Sequence, residues 1–232
     1  RTFLYLACAM RFEHIFWVSK SSLQNYRFKN FISGKSSILY NIVDQDRIFR
    51  SAAQDSNTYD HDIIYLGRLT FQKNPTRLLR VLRLAVQEKP DIKISIVGNG
   101  DLLDEAKNLS TELRLDNNVI FWGFKSNPLK MLQDAKVLIL TSRYEGTPMC
   151  ALEAMALGVP IVSTPTDGMV DLIENGVTGY LSDDDTDIAK KIVELISDNR
   201  KHLQFANNSR QRFNCLNDIK AYKNELKKVY MI

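Results

Sequence analysis

From residue 36 onward the chain alternates short β-branched and aliphatic runs with longer segments whose apolar positions recur every three or four residues. The short runs predict strands at Ser37–Tyr40, Ile63–Leu66, Lys93–Val97, Val119–Trp122, Val137–Thr141, Pro160–Ser163 and Gly179–Leu181. The longer segments predict helices at Pro75–Glu88, Leu102–Leu113, Pro128–Gln133, Pro148–Leu157, Met169–Glu174, Asp187–Ser197 and Lys201–Phe213. Strands alternating with helices of this length build βαβ units on a mostly parallel sheet. Ile63-Ile-Tyr-Leu and Val137-Leu-Ile-Leu are apolar throughout, so helices must cover both faces of that sheet. The expected fold class is therefore α/β, a doubly wound parallel, Rossmann-like sheet. Such sheets bind ligands in the loops at the carboxyl ends of their strands.

The two ends break this rhythm. Residues 1–35 read as an apolar helix, a strand at His14–Val18, a basic helix from Ser19 and a break at Ser33-Gly34-Lys35. This is the expected remnant of a preceding domain with its linker. The main domain is expected over 36–215. Residues 216–232 carry a Lys-rich amphipathic helix at Asp218–Tyr230, with Ile219, Tyr222, Leu226 and Tyr230 on one side, suited to packing on the preceding domain. The apolar opening run is too short to span a bilayer, lacks an initiator Met and is followed by Arg11, Glu13 and His14. It reads as a core helix of a chain that starts inside a longer protein.

Composition narrows the classes. The 232 residues are 44% hydrophobic and 25% charged, enough for one sizeable core. A net charge of +4 does not point to nucleic acid, and no finger, basic-region or aromatic-basic motif accompanies it. Cys8, Cys150 and Cys215 are far apart and form no CxxC, which suggests reduced thiols in a cytoplasmic setting. His14, His61 and His202 are equally scattered, so no metal cluster is read. The basic stretch Lys20, Arg27, Lys29 and Lys35 would suit anionic lipid at the cytoplasmic face of an inner membrane, although a solvated face is the plainer reading.

Three loops carry candidate chemistry. Gly67-Arg68-Leu69-Thr70-Phe71-Gln72-Lys73-Asn74 follows a buried strand and ends where Pro75 opens a helix. Its Arg68 and Lys73 suit a diphosphate, the first as a bidentate fork and the second as a point charge. Gly98-Asn99-Gly100-Asp101 also joins a strand to a helix and lets backbone approach a ligand. It lacks the third glycine of a dinucleotide fingerprint, and Asp101 has a plain role as helix N-cap. The strongest segment is Glu145-Gly146-Thr147-Pro148-Met149-Cys150-Ala151-Leu152-Glu153, where Pro148 marks a helix start. That helix is apolar all round except for Glu153, and a carboxylate there needs a partner, either a protein cation or a ligand. Glu153 stands five steps beyond Pro148, roughly 7.5 Å along the axis. A diphosphate at the helix start, held by backbone amides and the helix dipole, would leave Glu145 to a sugar on one side and Glu153 to a ribose on the other.

On these residues the chain resembles the retaining family-4 glycosyltransferases of the GT-B fold. The resemblance runs over roughly residues 14–230. It rests on Val18-Ser19, Tyr40-Asn41-Ile42-Val43, Gly67-Arg68-Leu69 with Lys73-Asn74, Gly98-Asn99-Gly100, the Glu145/Glu153 pair at E-x7-E spacing, and Asp167-Gly168 through Gly179. It implies the C-terminal, donor-binding half of a two-domain enzyme. Arg68 and Lys73 would contact the diphosphate and stabilise its departure, Glu145 would orient the donor sugar, and Glu153 would hold the ribose. Gly98, Gly123, Phe124 and Lys125 would lie along the nucleotide, the last three at the base. No metal or other cofactor is implied, because cations and amides take over the stabilisation of the leaving group. The implied reaction moves a hexose or N-acetylhexosamine from a UDP-sugar to a glycan or polyprenyl-diphosphate-linked acceptor, as in O-antigen, capsule or exopolysaccharide synthesis.

Two departures qualify this. Pro148 stands where many members have Gly, and proline has no N–H, so the available amides are those of Gly146, Thr147, Met149 and Cys150. Most of the acceptor domain is also missing, so donor binding without efficient transfer is expected of this chain alone. The alternatives are a UDP-sugar 2-epimerase of related fold, for which no acid-base constellation is seen, and a non-catalytic binding module. Two other motifs are set aside. Gly34-Lys35-Ser36 lacks the earlier glycine of a phosphate loop, and Asp183-Asp184-Asp185 suits a helix start better than a metal.

Overall fold

Two parallel sheets organise the chain. The computed structural model describes residues 2–230, with side chains from residue 6. In the smaller sheet β1 (Ile15–Trp17) pairs with β2 (Ser36–Ile38), placing Phe16 opposite Ser37. α1 (Thr2–Arg11) precedes them, and α2 (Lys20–Asn25), α3 (Lys29–Ile32) and a tight turn at Ser33–Lys35 connect them. The strand at residue 36 therefore joins the leading segment, not the main sheet into which the division at that residue had placed it. The leading helix forms, but Cys8 and Met10 are exposed, so the described part of α1 does not sit in a core.

After α4 (Gln45–Ala53) the main sheet begins. Its elements follow in strict alternation: β3 (Ile63–Leu66), α5 (Pro75–Glu88), β4 (Ile94–Val97), α6 (Leu103–Glu112), β5 (Val119–Gly123), α7 (Leu129–Asp134), β6 (Val137–Leu140), α8 (Met149–Leu157), β7 (Ile161–Ser163), α9 (Asp167–Leu172), β8 (Gly179–Leu181) and α10 (Asp185–Ser197). The helices α11 (Asn199–Leu216) and α12 (Ile219–Tyr230) close the chain. The strand order is β5-β4-β3-β6-β7-β8, with every neighbour parallel. Strand order reverses between β3 and β6, and that switch point is where open α/β sheets form their crevice.

The period-two alternation of a strand sends successive side chains to opposite faces. Ile63 and Tyr65 of β3 pack with Leu78 and Leu82 of α5 and Ile192 of α10, whereas Ile64 packs with Leu132 of α7, Leu152 of α8 and Phe213 of α11. Both layers are buried, and this explains why the strand is apolar throughout.

Several local features differ from the sequence expectation. Asp101 is exposed and caps nothing; Leu102 occupies the N-cap of α6 without a side-chain bond. Its amide instead donates to the Leu69 carbonyl at 3.0 Å, so a long-range contact sets that turn. The helix α4 had no predicted counterpart; Asp44 caps it through the Arg47 amide at 2.9 Å. The acidic run is divided. Asp184 caps α10, while Arg77 of α5 donates to Asp185 at 2.6 Å and to Asp183 at 2.9 Å. In the basic stretch, Lys29 donates to the Gln24 carbonyl and Lys35 to the carbonyls of Met10 and Phe12. The Tyr230 ring of α12 stands 6.5 Å from Phe16 of β1, bringing the last helix back to the leading segment.

A buried histidine ties α7 to β4 and β5. His61 Nε2 lies 2.8 Å from the Met131 carbonyl, which only accepts, so Nε2 carries the proton. Nδ1 then accepts from the Ser95 hydroxyl at 2.8 Å, and Ser95 accepts from Trp122 Nε1 at 2.9 Å. Burial pushes the His61 pKa below its ordinary value of 6.5, and burial lowers His202 likewise. Below that ordinary value the unfolded chain takes up protons that the folded chain refuses, so stability falls with pH. The urea midpoint should drop between pH 7.5 and pH 5. His61→Gln should lower stability at pH 7.5 and flatten the profile, and an unchanged profile would contradict the assignment.

Candidate active site

At the carboxyl ends of the central strands lies a cavity of about 680 Å³. Four chain stretches wall it: Arg68 and Lys73 after β3, Gly98 and Asn99 after β4, Phe124 and Lys125 after β5, and Met149, Cys150 and Glu153 on α8. Volumes of this order hold drug-sized ligands. Gly98 takes φ +143°, and a Cβ there would come 1.8 Å from the Gly67 carbonyl oxygen, so only glycine lets these two loops approach. Of the remaining sequence candidates, Glu145 contacts Lys73; Gly146 and Thr147 follow Glu145 in the chain, and Gly123 is next to Phe124. None of these four lines the cavity itself. Asn99 and Pro128 do line it and were not anticipated. Asn99 could have been found inside its Gly-Asn-Gly loop, whereas nothing local marks Pro128.

The loops after β3 and β6 are tied to each other. Lys73 Nζ and Glu145 Oε1 form an ion pair at 2.5 Å, with side chains 13% and 7% exposed. Ser142 donates to the same oxygen at 2.6 Å. Sequence had assigned Lys73 and Glu145 to separate ligand groups; in the structure they face each other. The Arg143 guanidinium lies 4.3 Å over the Phe71 ring, its Nε donates to the Phe71 carbonyl, and Gln72 donates to the Tyr144 carbonyl. Asn74 takes φ 55° at the turn into α5, where Pro75 supplies the first helical residue.

Two other charged side chains at the cavity make no hydrogen bond among the described residues. Among the described residues the Arg68 guanidinium makes no hydrogen bond or ion pair, and Tyr65 instead bonds the Arg68 backbone carbonyl. Glu153 also makes no hydrogen bond among them. Burial raises its pKa, and the charge that opposes this is Arg47 on α4. Arg47 and Glu153 share a second cavity of about 400 Å³ beside the first. Burial pushes the Cys150 thiol up to about 12, so it stays protonated.

The start of α8 supplies donors. Pro148 is the N-cap, at φ −67° and ψ 127°, and not the first helical residue. Ala151 and Leu152 donate back to its carbonyl. The amides of Gly146, Thr147, Met149 and Cys150 donate to no group among the described residues. Four free donors, a helix dipole and an unpaired guanidinium beside one cavity make a site for a polyanion.

The family described as "Glycosyl transferases group 1" matches residues 46–212. The chain belongs to this family. A Campylobacter jejuni relative, named as an N-acetylgalactosamine-N,N'-diacetylbacillosaminyl-diphospho-undecaprenol 4-alpha-N-acetylgalactosaminyltransferase, is 28% identical over 83% of this chain and 53% of its own length. The lipopolysaccharide 1,6-galactosyltransferase of Escherichia coli is 26% identical over 75% of this chain and 49% of its own length. Thus the chain spans about half the length of these relatives. Among solved structures, Anabaena HepE with UDP and glucose superposes with TM-score 0.86 at 21% identity, covering 99% of this chain and 66% of that one. At that identity the likeness is one of fold, and it gives this group 1 glycosyl transferase chain the α/β architecture of GT-B enzymes.

The Lys73–Glu145 pair makes a stability prediction. Removing one partner strands the other as a buried charge, at a cost of about 3 kcal/mol or more. Glu145→Gln and Lys73→Met should each lower unfolding free energy by roughly that amount, while the double variant should lose much less than their sum. Additive losses would show that the two charges do not interact.

Proposed function

We propose that this chain binds the nucleoside diphosphate of a UDP-sugar, and that the protein it belongs to transfers a hexose or N-acetylhexosamine with retention to a glycan acceptor in cell-surface polysaccharide synthesis. The observation that carries this reading is the convergence on one cavity of free α8-start amides, an unpaired Arg68 and an unbonded Glu153. The diphosphate lies against those amides and Arg68. The ribose hydroxyls donate to Glu153, and the base lies along Gly123, Phe124 and Lys125 past Gly98. Both contacts to Glu145 use Oε1, which leaves Oε2 to accept from a donor-sugar hydroxyl.

In the reaction the bond between the anomeric carbon and the phosphate oxygen breaks, and the electron pair leaves with the diphosphate. Lys73, held by Glu145, and the amides of Gly146, Thr147, Met149 and Cys150 are in place before that charge develops, so they stabilise it without reorganising, and Arg68 adds its charge. The proposal assigns this work to no metal. The relatives support the acceptor class: the Campylobacter protein is named for a diphospho-undecaprenol-linked substrate, and the Escherichia coli protein for lipopolysaccharide.

Calorimetry with a panel of UDP-sugars, UDP and uridine tests donor binding. Arg68→Ala should weaken UDP at least about tenfold and uridine hardly at all, as loss of a charge-assisted contact to phosphate requires. Glu153→Ala should weaken both ligands by a similar factor. Equal losses for UDP and uridine on Arg68→Ala would remove the diphosphate assignment. Product analysis with UDP-N-acetylglucosamine and no acceptor separates a transferase from an epimerase, since only an epimerase changes the sugar.

A further inference from the structure

Outside the cavity, the densest hydrogen-bonded cluster centres on Asp171 of α9. Its Oδ2 accepts from Ser19 Oγ at 2.9 Å, the Lys20 amide at 2.6 Å and the Ser21 amide at 3.2 Å. Its Oδ1 accepts from Ser21 Oγ at 2.6 Å, and the Tyr40 hydroxyl reaches Oδ2 at 3.4 Å. One turn earlier on α9, Asp167 accepts from Ser22 Oγ and Asn25 Nδ2. Arg212 of α11 donates to the Asp171 and Leu172 carbonyls, fixing the other end of α9. These bonds span about 150 positions of sequence, and they exceed what α2 needs for capping. Ser19 already caps α2 by accepting from the Ser22 amide at 3.2 Å.

The surplus has a geometric consequence. Val18, one residue before this cluster, accepts from the Thr147 hydroxyl, and its side chain lies so near Gly146 that a Cβ there would meet Val18 Cγ2 at 2.7 Å. The Gly168 amide of α9 in turn donates to the Glu145 carbonyl at 3.0 Å. A Cβ at Gly168 would fall 1.0 Å from the Gly146 carbonyl oxygen. Asn41 Nδ2 closes the ring by donating to the Thr147 carbonyl at 2.8 Å. Residues 145–147 thus contact both α9 and Val18, and Asp171 ties residues 19–21, which follow Val18, to α9.

We propose that Asp171 is a positioning residue of the donor site: by locking residues 19–21, and with them the adjoining Val18, onto α9 it sets the Gly146 and Thr147 backbone at the height where their amides meet a diphosphate. The proposal rests on the reading that these amides bind the diphosphate of a nucleotide donor. Asp171 does not line the cavity and touches no ligand there. Its ionised form suits the role. Burial works against the charge, but the bonds from Ser21, Ser19 and Lys20 outweigh it and hold the carboxyl below its usual range.

The test compares ligands with and without phosphate. In Asp171→Asn, one carboxylate oxygen becomes an amide that cannot accept. Titration of the chain by calorimetry should show UDP weakened about fivefold, the scale of one lost hydrogen bond, with uridine within about twofold of the parent. A merely structural role lowers both ligands together or neither, and either result overturns the proposal. If Asp171→Asn does not fold, Ser21→Ala and Tyr40→Phe each remove one donor and keep the charge. The same selective loss, smaller in each, is then expected, and unchanged or uniform binding overturns it. If the parent chain does not distinguish UDP from uridine, the donor-site reading itself is wrong. If the parent distinguishes them and the variants still match it, the positioning role alone is wrong.

Discussion

The ion pair between Lys73 and Glu145 spans the point where the sheet changes direction. Lys73 belongs to the loop after β3 and Glu145 to the loop after β6, and those adjacent strands send their connections to opposite sides. Loops diverging at a switch point leave a crevice. Without a cross-tie, the crevice would have walls of independent position. Burial of both charges makes the tie costly to break from one side, so the two walls keep a fixed spacing. The cavity, the free amides at α8 and the unpaired Arg68 all depend on that spacing.

The same logic extends outward from the pair. Glu145 is followed by two residues whose backbone is clamped by Val18, Gly168 and Asn41. The leading segment therefore does more than precede the main sheet; it forms part of the support for residues 145–147. This support explains why glycine stands at 146 and 168, where backbone or side chain would collide with any Cβ. Rigid support of this kind is what an electrostatic site requires, since donors that must move during the reaction lose part of their advantage. The side chains of Glu153 and Arg68 are left without hydrogen-bond partners among the described residues, beside the equally unbonded amides at the start of α8.

Much of this was readable in the sequence. Apolar runs such as Ile63–Leu66 and Val137–Leu140 identified central strands, because a strand covered on both faces has no polar position to show. The loops carrying Arg68, Lys73 and Gly98 and the helix carrying Glu153 were singled out in the sequence and wall one cavity. Phe124, which only the resemblance pointed to, lines it too, and Glu145 lies beside it on Lys73. Prolines were less informative about boundaries. Pro128 and Pro148 stand at N-caps, one residue outside their helices, because a cap tolerates a missing N–H as well as a first turn does. The Asp101 expectation missed because a bond from Leu102 to Leu69, far away in sequence, sets that turn. The Lys73–Glu145 pair and the Asp171 cluster join residues 72 and about 150 positions apart. No local pattern encodes such contacts, so only the folded chain reveals them.

The central claim is that Glu145 and Glu153 flank a diphosphate seated on the start of α8. A crystal structure of the chain with UDP tests it directly. The account predicts the diphosphate oxygens within hydrogen-bond reach of the Met149 and Cys150 amides and Arg68, and the ribose hydroxyls on Glu153. UDP bound with its ribose turned away from Glu153, or with its phosphates remote from the α8 start, would contradict it.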